Sequence, residues 1–398
     1  MKKINVYVWT VLVVGMMIGG QACKEEAQHT PINKNEDKPL SVLNPEVENL
    51  PGAAEITYNL PQSEGVLYVK AVYEIRPGVI QEAKASFYSN SIRVEGFGEA
   101  GEYDVSLYTV GRNEQYSDPL VVRVEPSTPH LVGVFESVEV VDSWGGAMVT
   151  LTNEAEANMT VEVLTTDELG DLIVAETFYT KMKNAKLPVR GYDPEERLFG
   201  VVVHDHWDNY SDTLFTEVVP WFEEEIPEGS FKKLNLPTDY TTAHNGGSAT
   251  LEKIWDGNYG GSDYVSVPGH GIPQWFTFDM GVQARLSRVV TFNRTQSQYL
   301  YQSGSIKKWK IYGSNDPNPD GSFDDSWTLL LECESIKPSG LPTGSNTEED
   351  KAYAAAGEEF TFPEDMEPVR YLRWQVTENW GKVTHVNIVE IDLFGQVQ

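Results

Sequence analysis

Several aromatic side chains of this sequence fall in polar segments between predicted strands. Trp380 follows Asn379 in the run TENWGK, and Tyr299 and Tyr301 occur in the run RTQSQYLYQ that begins at Arg294. An exposed ring offers a flat apolar face to the C–H face of a pyranose, while amide and guanidinium groups satisfy the sugar hydroxyls. These loops therefore predict a binding site with an aromatic platform and a few polar groups around it.

His270, in the run PGHGIP, is a further loop residue that could bind a sugar hydroxyl. The sequence contains no G-x-S-x-G elbow, no H-E-x-x-H and no P-loop. Its many acidic residues leave a glycosidase carboxylate pair open. Three modest β-domains without a large α/β or barrel domain favour a protein that binds rather than an enzyme.

The charge of the chain restricts its partners. The 398 residues carry a formal net charge of −30, so the surface repels phosphate backbones and sulfated polymers. Nucleic acid is therefore not an expected partner, whereas neutral polysaccharides and divalent cations are compatible with this surface.

The N-terminus has the features of an export signal. Lys2 and Lys3 precede an apolar stretch that ends in GGQAC, which predicts a signal peptide over residues 1–22. Cys23 resembles the acylated cysteine of a lipobox, and the following KEE resembles the signal that sends Bacteroidetes lipoproteins to the cell surface. The resemblance implies a lipid anchor on Cys23 in the outer membrane, facing outward, followed by a flexible tether over residues 23–40.

An internal repeat divides the first half of the mature chain. The motif Tyr-Ser-Asp occurs at residues 116–118 and again at 210–212, 94 residues later, and Pro126 and Pro220 are separated by the same interval. A period near that of a seven-stranded sandwich predicts two β-sandwiches, at residues 41–127 and 128–222. Alternating apolar residues in EYDVSLYTV agree with half-buried strands.

The first copy resembles a fibronectin type III domain, with Tyr103 in the place of the tyrosine corner. The second copy has Arg197 at the equivalent position, so we describe the pair as Ig/fibronectin III-like. Similar modules precede a terminal binding domain in Bacteroidetes lipoproteins, and the resemblance implies that both act as spacers.

Residues 235–398 resemble the discoidin family, also called coagulation-factor type C or galactose-binding-like domains. The family's segments occur in order as IWDG, QWFTFDMG, IKKWKIYGSN, VRYLRW and IVEIDLFG. The resemblance implies a jelly-roll β-sandwich. The complete prediction is an all-β chain of two small sandwiches followed by this larger one.

The same resemblance implies the binding residues. Carbohydrate-binding members use a histidine, an arginine and a loop aromatic that correspond here to His270, Arg294 and Trp380. Their asparagine is replaced by Tyr301, so the sugar specificity does not follow. With the neighbours noted above, the predicted ligand-binding set is His270, Arg294, Tyr299, Tyr301, Asn379 and Trp380. The alternative is that Arg294 makes a structural pair and His270 is an ordinary loop residue.

A structural Ca²⁺ is also implied by the resemblance. Family members hold it with an early-turn aspartate and a glutamate near the C-terminus, which correspond to Asp256 and Glu390.

These features predict a surface glycan-binding lipoprotein of a polysaccharide-utilisation system, acting beside a transporter and glycan-degrading enzymes. The alternative is an adhesin or structural lipoprotein that binds protein.

Overall fold

The computed structural model describes residues 38–62, 65–112, 114–260 and 263–398. The predicted signal peptide, Cys23 and all but the last three residues of the predicted tether lie outside this part of the chain. Within it, no helix combines the length and the apolar character that crossing a membrane requires.

The first unit is a sandwich of two antiparallel sheets with the orders β1-β2-β5 and β4-β3-β6-β7. Its core is formed by alternate residues of facing strands, such as Ile56, Val69 and Leu107, which are fully buried. The Tyr103 hydroxyl donates to the carbonyl oxygen of Glu99 at 3.0 Å, a tyrosine-corner contact. The strands are β1 (Leu43–Leu50), β2 (Ala53–Asn59), β3 (Val66–Arg76), β4 (Val79–Ser86), β5 (Ser91–Glu95), β6 (Tyr103–Gly111) and β7 (Leu120–Val124).

The second unit repeats this layout, with sheets β12-β9-β8 and β11-β10-β13-β14. A short helix, α1 (His130–Glu136), follows the first unit in the chain, and its residues Leu131 and Val134 are buried in the core of the second unit. The strands are β8 (Glu139–Ser143), β9 (Gly146–Thr152), β10 (Met159–Thr166), β11 (Leu172–Thr180), β12 (Asn184–Val189), β13 (Arg197–His204) and β14 (Leu214–Val218).

The repeated Tyr-Ser-Asp motif has the same role in both sandwiches. Ser117 Oγ accepts the backbone N–H of Thr109 at 2.9 Å, and Ser211 Oγ accepts that of Val203 at 2.9 Å. The backbone N–H of Ser117 also donates to the carbonyl oxygen of Thr109, and that of Ser211 donates to the carbonyl oxygen of Val203. The motif thus closes the loop after β6 and the corresponding loop after β13, which is why it recurs at one interval.

The C-terminal unit is a larger sandwich whose main sheet has the order β15-β24-β18-β22-β19-β20, while β16 and β21 also pair with β18 and β17 pairs with β23. Its strands are β15 (Glu224–Glu225), β16 (Lys232–Lys233), β17 (Tyr264–Val265), β18 (Gln274–Phe292), β19 (Ile306–Ser314), β20 (Thr328–Glu334), β21 (Glu358–Thr361), β22 (Val369–Asn379), β23 (Asn387–Ile388) and β24 (Glu390–Val397). It also contains 3₁₀ turns at Glu228–Ser230, His244–Gly247 and Leu251–Trp255, and helix α2 (Glu348–Ala356).

Aromatic rings dominate the interior of this sandwich. Trp374 stacks on Trp309 at 6.0 Å between ring centroids and on Phe276 at 6.3 Å. Trp275 points to the other face of β18, where it meets Phe323. The prediction of an all-β chain with two small sandwiches and a larger third one is confirmed.

The boundary predicted at residue 235 needs correction. Both β15 and β16 lie before it, yet β15 pairs with β24 and β16 pairs with β18. Structurally, the third sandwich therefore begins near Glu224, because two short strands between the predicted second and third domains belong to its sheet.

Polar contacts fasten the sandwiches to each other. Arg76 Nη1 donates to the carbonyl oxygens of Trp207 at 2.8 Å and Asp208 at 3.1 Å, which joins the first unit to the second. Between the second and third, Glu223 accepts from both Arg190 and Arg288. The Glu223 side chain is only 7% exposed, so these ion pairs are largely shielded from water.

Candidate functional site

Four loops meet at one end of the C-terminal sandwich. Strands β18 and β19 begin opposite Val376 and Asn379, where β22 ends, so the adjoining loops share this end. The loop after β22 contacts its neighbours directly, because Gly381 N donates to Ser303 O and Gly271 N donates to Thr384 O. We call this region the loop end; it comprises residues 240–250, 263–273, 293–305 and 380–387.

An ion pair lies within the loop end. Arg294 donates from Nε and Nη2 to the two carboxylate oxygens of Asp263, at 2.5 and 2.7 Å. The Tyr299 ring lies against the guanidinium, with its centroid 4.2 Å from the central carbon. Both charged side chains retain partial exposure, 19% and 16%. A part of each side chain therefore remains in contact with solvent, beside the Tyr299 ring.

His385 lies close to Arg294 of this pair. His385 Nε2 lies 3.4 Å from Ser303 Oγ. Burial lowers the pKa of His385 below its usual 6.5, and the nearby His244 and Arg294 lower it further. The ring is therefore neutral at pH 7 and can offer one donor and one acceptor.

His270 is exposed at the tip of its loop and lies against Tyr240, with ring centroids 3.6 Å apart. Its loop is held to the loop after β22, since Gly269 N donates to Thr384 Oγ1. The structure thus brings three predicted residues, His270, Arg294 and Tyr299, to the loop end.

Trp380 occupies a different environment from the one predicted. Its indole is partly buried, with Tyr301 at 5.1 Å between centroids and Lys307 at 5.2 Å from the ring. Nε1 donates to Ser335 Oγ at 3.3 Å. Among the described residues, no hydrogen bond or ring contact joins it to Arg294. The prediction of a free-standing platform is thus corrected to a ring that packs beneath the loop following β20.

Tyr301 and Asn379 are buried and cannot touch a ligand in this conformation. Tyr301 is 1% exposed and packs with Leu300 and Ala354. Asn379 is 2% exposed, and its Nδ2 donates to the carbonyl oxygens of Val383 and His385. Both side chains support the loops rather than line the site, which corrects their predicted role as ligands.

The two residues of the predicted calcium pair, Asp256 and Glu390, lie side by side but have different further partners. Asp256 Oδ2 lies 2.8 Å from Lys253 Nζ, so this aspartate has a cation partner already. Glu390 is fully buried, and its Oε2 accepts the backbone N–H of Asn258, which also donates to Asp256 Oδ1. Asp256 therefore lies next to Glu390, but its carboxylate is not part of the group of closely spaced oxygens to which Glu390 belongs.

Glu390 instead belongs to a carboxylate cluster with Glu228 and Asp392, whose ligand atoms all lie within 4.8 Å of one another. Burial and the charge of Glu228 raise the pKa of Glu390 to about 8. Burial and Asp392 raise that of Glu228 to about 7, and burial raises that of Asp392 to about 6. Oxygen-rich clusters of this kind suit a hard divalent cation.

Sequence reasoning considered Asp263 only as a calcium ligand and missed its pairing with Arg294. It also missed His244 and His385 at the loop end, and Glu228 and Asp392 in the carboxylate cluster. Most of these contacts join residues that are far apart along the chain; for example, 162 residues separate Glu228 from Glu390. The available signal was the alternation of β24, which puts Glu390 and Asp392 on one face.

Three family profiles, each described as a domain of unknown function, match the chain: DUF4959 over residues 39–126, DUF5126 over 127–229 and DUF5000 over 255–395. No curated protein matches it.

Solved structures also resemble the chain. The CBM32-1 and CBM32-2 domains of Clostridium perfringens ZmpB, in complex with GalNAc, are 15% identical, with a TM-score of 0.30, over 43% of this chain and 36% of that one. A two-domain fibronectin type III segment of chicken tenascin is 17% identical, with a TM-score of 0.21, over 45% and 99% of the two chains. The SusE-like protein BT2857 is 36% identical, with a TM-score of 0.45, and the match covers 68% of this chain and 100% of that one. On the strength of that identity over the whole of the relative, the chain belongs to the SusE-like family.

Proposed function

We propose that this chain is a cell-surface glycan-binding lipoprotein of a polysaccharide-utilisation system. The observation that carries the proposal is its membership of the SusE-like family, at 36% identity over the full length of a relative. The loop end of the C-terminal sandwich is the proposed site, and a neutral polysaccharide or oligosaccharide is the proposed ligand.

The chemistry of the loop end supports this assignment. Arg294 uses two of its five N–H donors on Asp263, which leaves donors for sugar hydroxyls. The neutral His385 and the exposed His270 add hydrogen-bonding groups of both kinds, and the Tyr299 ring offers an apolar face. Because the guanidinium is held at two points, little conformational entropy is lost when a ligand binds.

The first two sandwiches act as spacers in this proposal. A lipid on Cys23 would anchor the chain in the outer membrane, and the two sandwiches would carry the loop end away from it. Bound polymer would then be held near a transporter and glycan-degrading enzymes. The chain itself would bind without catalysis, so incubation with a bound polymer should release no new reducing ends.

A second candidate, an adhesin that contacts protein, is favoured by one surface. The hairpin between β10 and β11 exposes the apolar residues Leu169, Leu172, Ile173 and Val174, each at 45% or more. Exposed apolar patches commonly mark contacts with proteins.

Affinity electrophoresis in gels that contain neutral plant or host polysaccharides separates the two candidates. A glycan-binding protein is retarded by at least one polymer and released by its oligosaccharides. An adhesin migrates unchanged in every gel, and that result would reject the proposed function.

A further inference from the structure

Strand β11 forms one edge of a sheet in the second sandwich. The sheet has the order β11-β10-β13-β14, and among the described residues no backbone hydrogen bond joins β11 to any strand but β10. The N–H and C=O groups along the outer side of this nine-residue strand therefore have no strand partner. An edge of this kind can pair with a strand of another chain.

The side chains of β11 are unusual for an edge that stays unpaired. None of its residues is buried, and its sequence LIVAETFYT contains neither proline nor lysine and only one charge, Glu176. Leu172, Ile173 and Val174 are 45–52% exposed, and Tyr179 is 82% exposed. Because successive side chains point to opposite faces, both faces are uncovered at this end of the strand. Long apolar edges are normally protected, so this edge indicates a contact.

The first sandwich shows the same position in a protected form. Its sheet β4-β3-β6-β7 corresponds to β11-β10-β13-β14, so β4 is the counterpart of β11. Strand β4 carries Glu82 and Lys84, and Glu82 forms a salt bridge with Lys70 of the neighbouring strand at 2.6 Å. Charged side chains on an edge discourage pairing with another chain. The contrast between two copies of one layout therefore singles out β11.

Charges of opposite sign lie at the two ends of β11. Glu168 and Asp171 precede the strand, whereas Lys181 and Lys183 follow it. In the part of the chain that the structure describes, Lys183 has one ion-pair partner, Glu154, and both side chains of that pair are more than half exposed. Antiparallel pairing of two identical strands brings unlike ends together, so β11 is complementary to itself. This charge order favours a second copy of the chain over a foreign protein.

We propose that two copies of this chain pair through β11, antiparallel and about a two-fold axis at Thr177. This register sets Asp171 of each copy opposite Lys183 of the other. It also sets Glu176 opposite Phe178, so the two Glu176 carboxylates do not face each other. Both copies use the same edge, so the contact closes at a dimer with a continuous eight-stranded sheet.

The pairing has a consequence for binding that rests on the proposed function. A dimer carries two loop ends, and two sites on one assembly raise the effective concentration at which the second site meets a polymer. The pairing itself needs no glycan and is tested without one. Failure of the dimer and failure of glycan binding are therefore distinguishable.

Analytical ultracentrifugation of the mature chain with Cys23→Ser, which lacks the lipid attachment point, measures the pairing. At about 0.15 M salt the repulsion between two acidic copies is screened beyond about 8 Å. We expect a reversible monomer–dimer equilibrium. Val174→Lys should raise the dimer Kd about tenfold or more, because each dimer contains the change twice.

The matched control for this variant is Ile80→Lys, on β4. Ile80 is 65% exposed, so the control adds the same charge to the counterpart edge and should leave the dimer Kd unchanged. Circular dichroism establishes that both variants are folded. A chain that stays monomeric at its highest soluble concentration overturns the proposal, as does an unchanged Kd in Val174→Lys.

Cross-linking through Thr177→Cys tests the position of the two-fold axis in the same Cys23→Ser background. Directly opposed Cβ atoms of paired strands lie about 4.5–5.5 Å apart, so mild oxidation should give a covalent dimer. The remaining native cysteine, Cys333, is 4% exposed. Leu172→Cys is the matched control on the same strand, because its two thiols would lie about 30 Å apart. Equal cross-linking of both variants would overturn the register.

A charge exchange tests the antiparallel direction. Asp171→Lys alone and Lys183→Asp alone should each raise the dimer Kd about threefold or more, because two attractive contacts in each dimer become repulsive. The exposed pair between Lys183 and Glu154 contributes little to folding, so its loss should leave each chain folded. The double variant should restore the Kd of the unchanged chain. A double variant as weak as the single ones would overturn the proposed pairing.

Discussion

Arg294 and Asp263 form a two-point ion pair between two loops at one end of the C-terminal sandwich, with N–O distances of 2.5 and 2.7 Å. The pair orients the guanidinium against Tyr299 and joins the loop before β17 to the loop after β18. A structural pair and a binding role are therefore compatible for Arg294, because the pair uses two of its five N–H groups and the side chain stays partly exposed.

The repeated serine predicts matched stability effects in the first two sandwiches. Ser117→Ala and Ser211→Ala each remove an acceptor from a strand N–H, that of Thr109 or Val203. Each change should cost about 1–2 kcal/mol of unfolding free energy, because the strand donor loses its partner. Urea denaturation of the two variants measures this. A large cost in one sandwich and none in the other would contradict the structural equivalence of the copies.

Trp380→Ala should lower stability rather than act on binding alone. The half-buried indole packs on Tyr301 and donates to Ser335, so its removal should cost about 2 kcal/mol, below the ~3–5 kcal/mol of a fully buried aromatic. Thermal melting of this variant beside Trp380→Phe, which keeps most of the packing, measures the effect. An unchanged melting temperature with lost glycan binding would restore the exposed platform predicted from sequence.

Glu223→Gln should loosen the joint between the second and third sandwiches. It removes one of the two carboxylates that Arg190 and Arg288 share, and because Glu359 still contacts both guanidinium groups, we expect a cost of about 1.5–3 kcal/mol. Small-angle scattering should then show a broader distribution of dimensions, while Glu225→Gln leaves the profile unchanged. Identical profiles for all three proteins would show that the ion pairs do not hold the joint.

His385 should titrate below 6.5. Burial, His244 and Arg294 favour the neutral ring in the folded state, so the unfolded chain binds more protons as the pH falls past 6.5. The stability contributed by the neutral ring is therefore complete above pH 6.5 and is lost as the pH falls through the folded pKa. NMR titration of the imidazole resonances in the unchanged chain, with His385→Gln for assignment, gives the value directly. A pKa at or above 6.5 would contradict the described environment.

The fold was predictable because its signals are local. Strict alternation, as in EYDVSLYTV, and the strand motifs can each be read within a single strand. The 94-residue repeat adds that two sandwiches share one layout. The start of the third sandwich was predicted too late because β15 and β16 are two-residue strands in a charged, Pro- and Gly-containing segment, where no periodicity can be seen.

The site was predictable only in part, because loop positions indicate neighbourhood but not side-chain direction. His270, Arg294 and Tyr299 all lie at the loop end, where Arg294 contacts Tyr299 and His270 contacts Tyr240. Asn379 was expected to face the ligand, but its amide turns inward because the carbonyls of Val383 and His385 need a donor. Partners such as Asp263 come from another loop, and no pattern within one sequence reports such contacts.

The most direct test of the account is calorimetric titration of a polysaccharide that retards the chain in affinity gels, with Arg294→Ala compared with Arg370→Ala. Arg370 makes an equivalent two-point pair with Asp279, at 2.8 and 2.9 Å, outside the loop end. We predict a rise of about tenfold or more in Kd for Arg294→Ala, the loss expected for a hydrogen bond from a charged group, and an unchanged Kd for Arg370→Ala. Equal affinities for both variants and the unchanged chain would show that the glycan binds elsewhere.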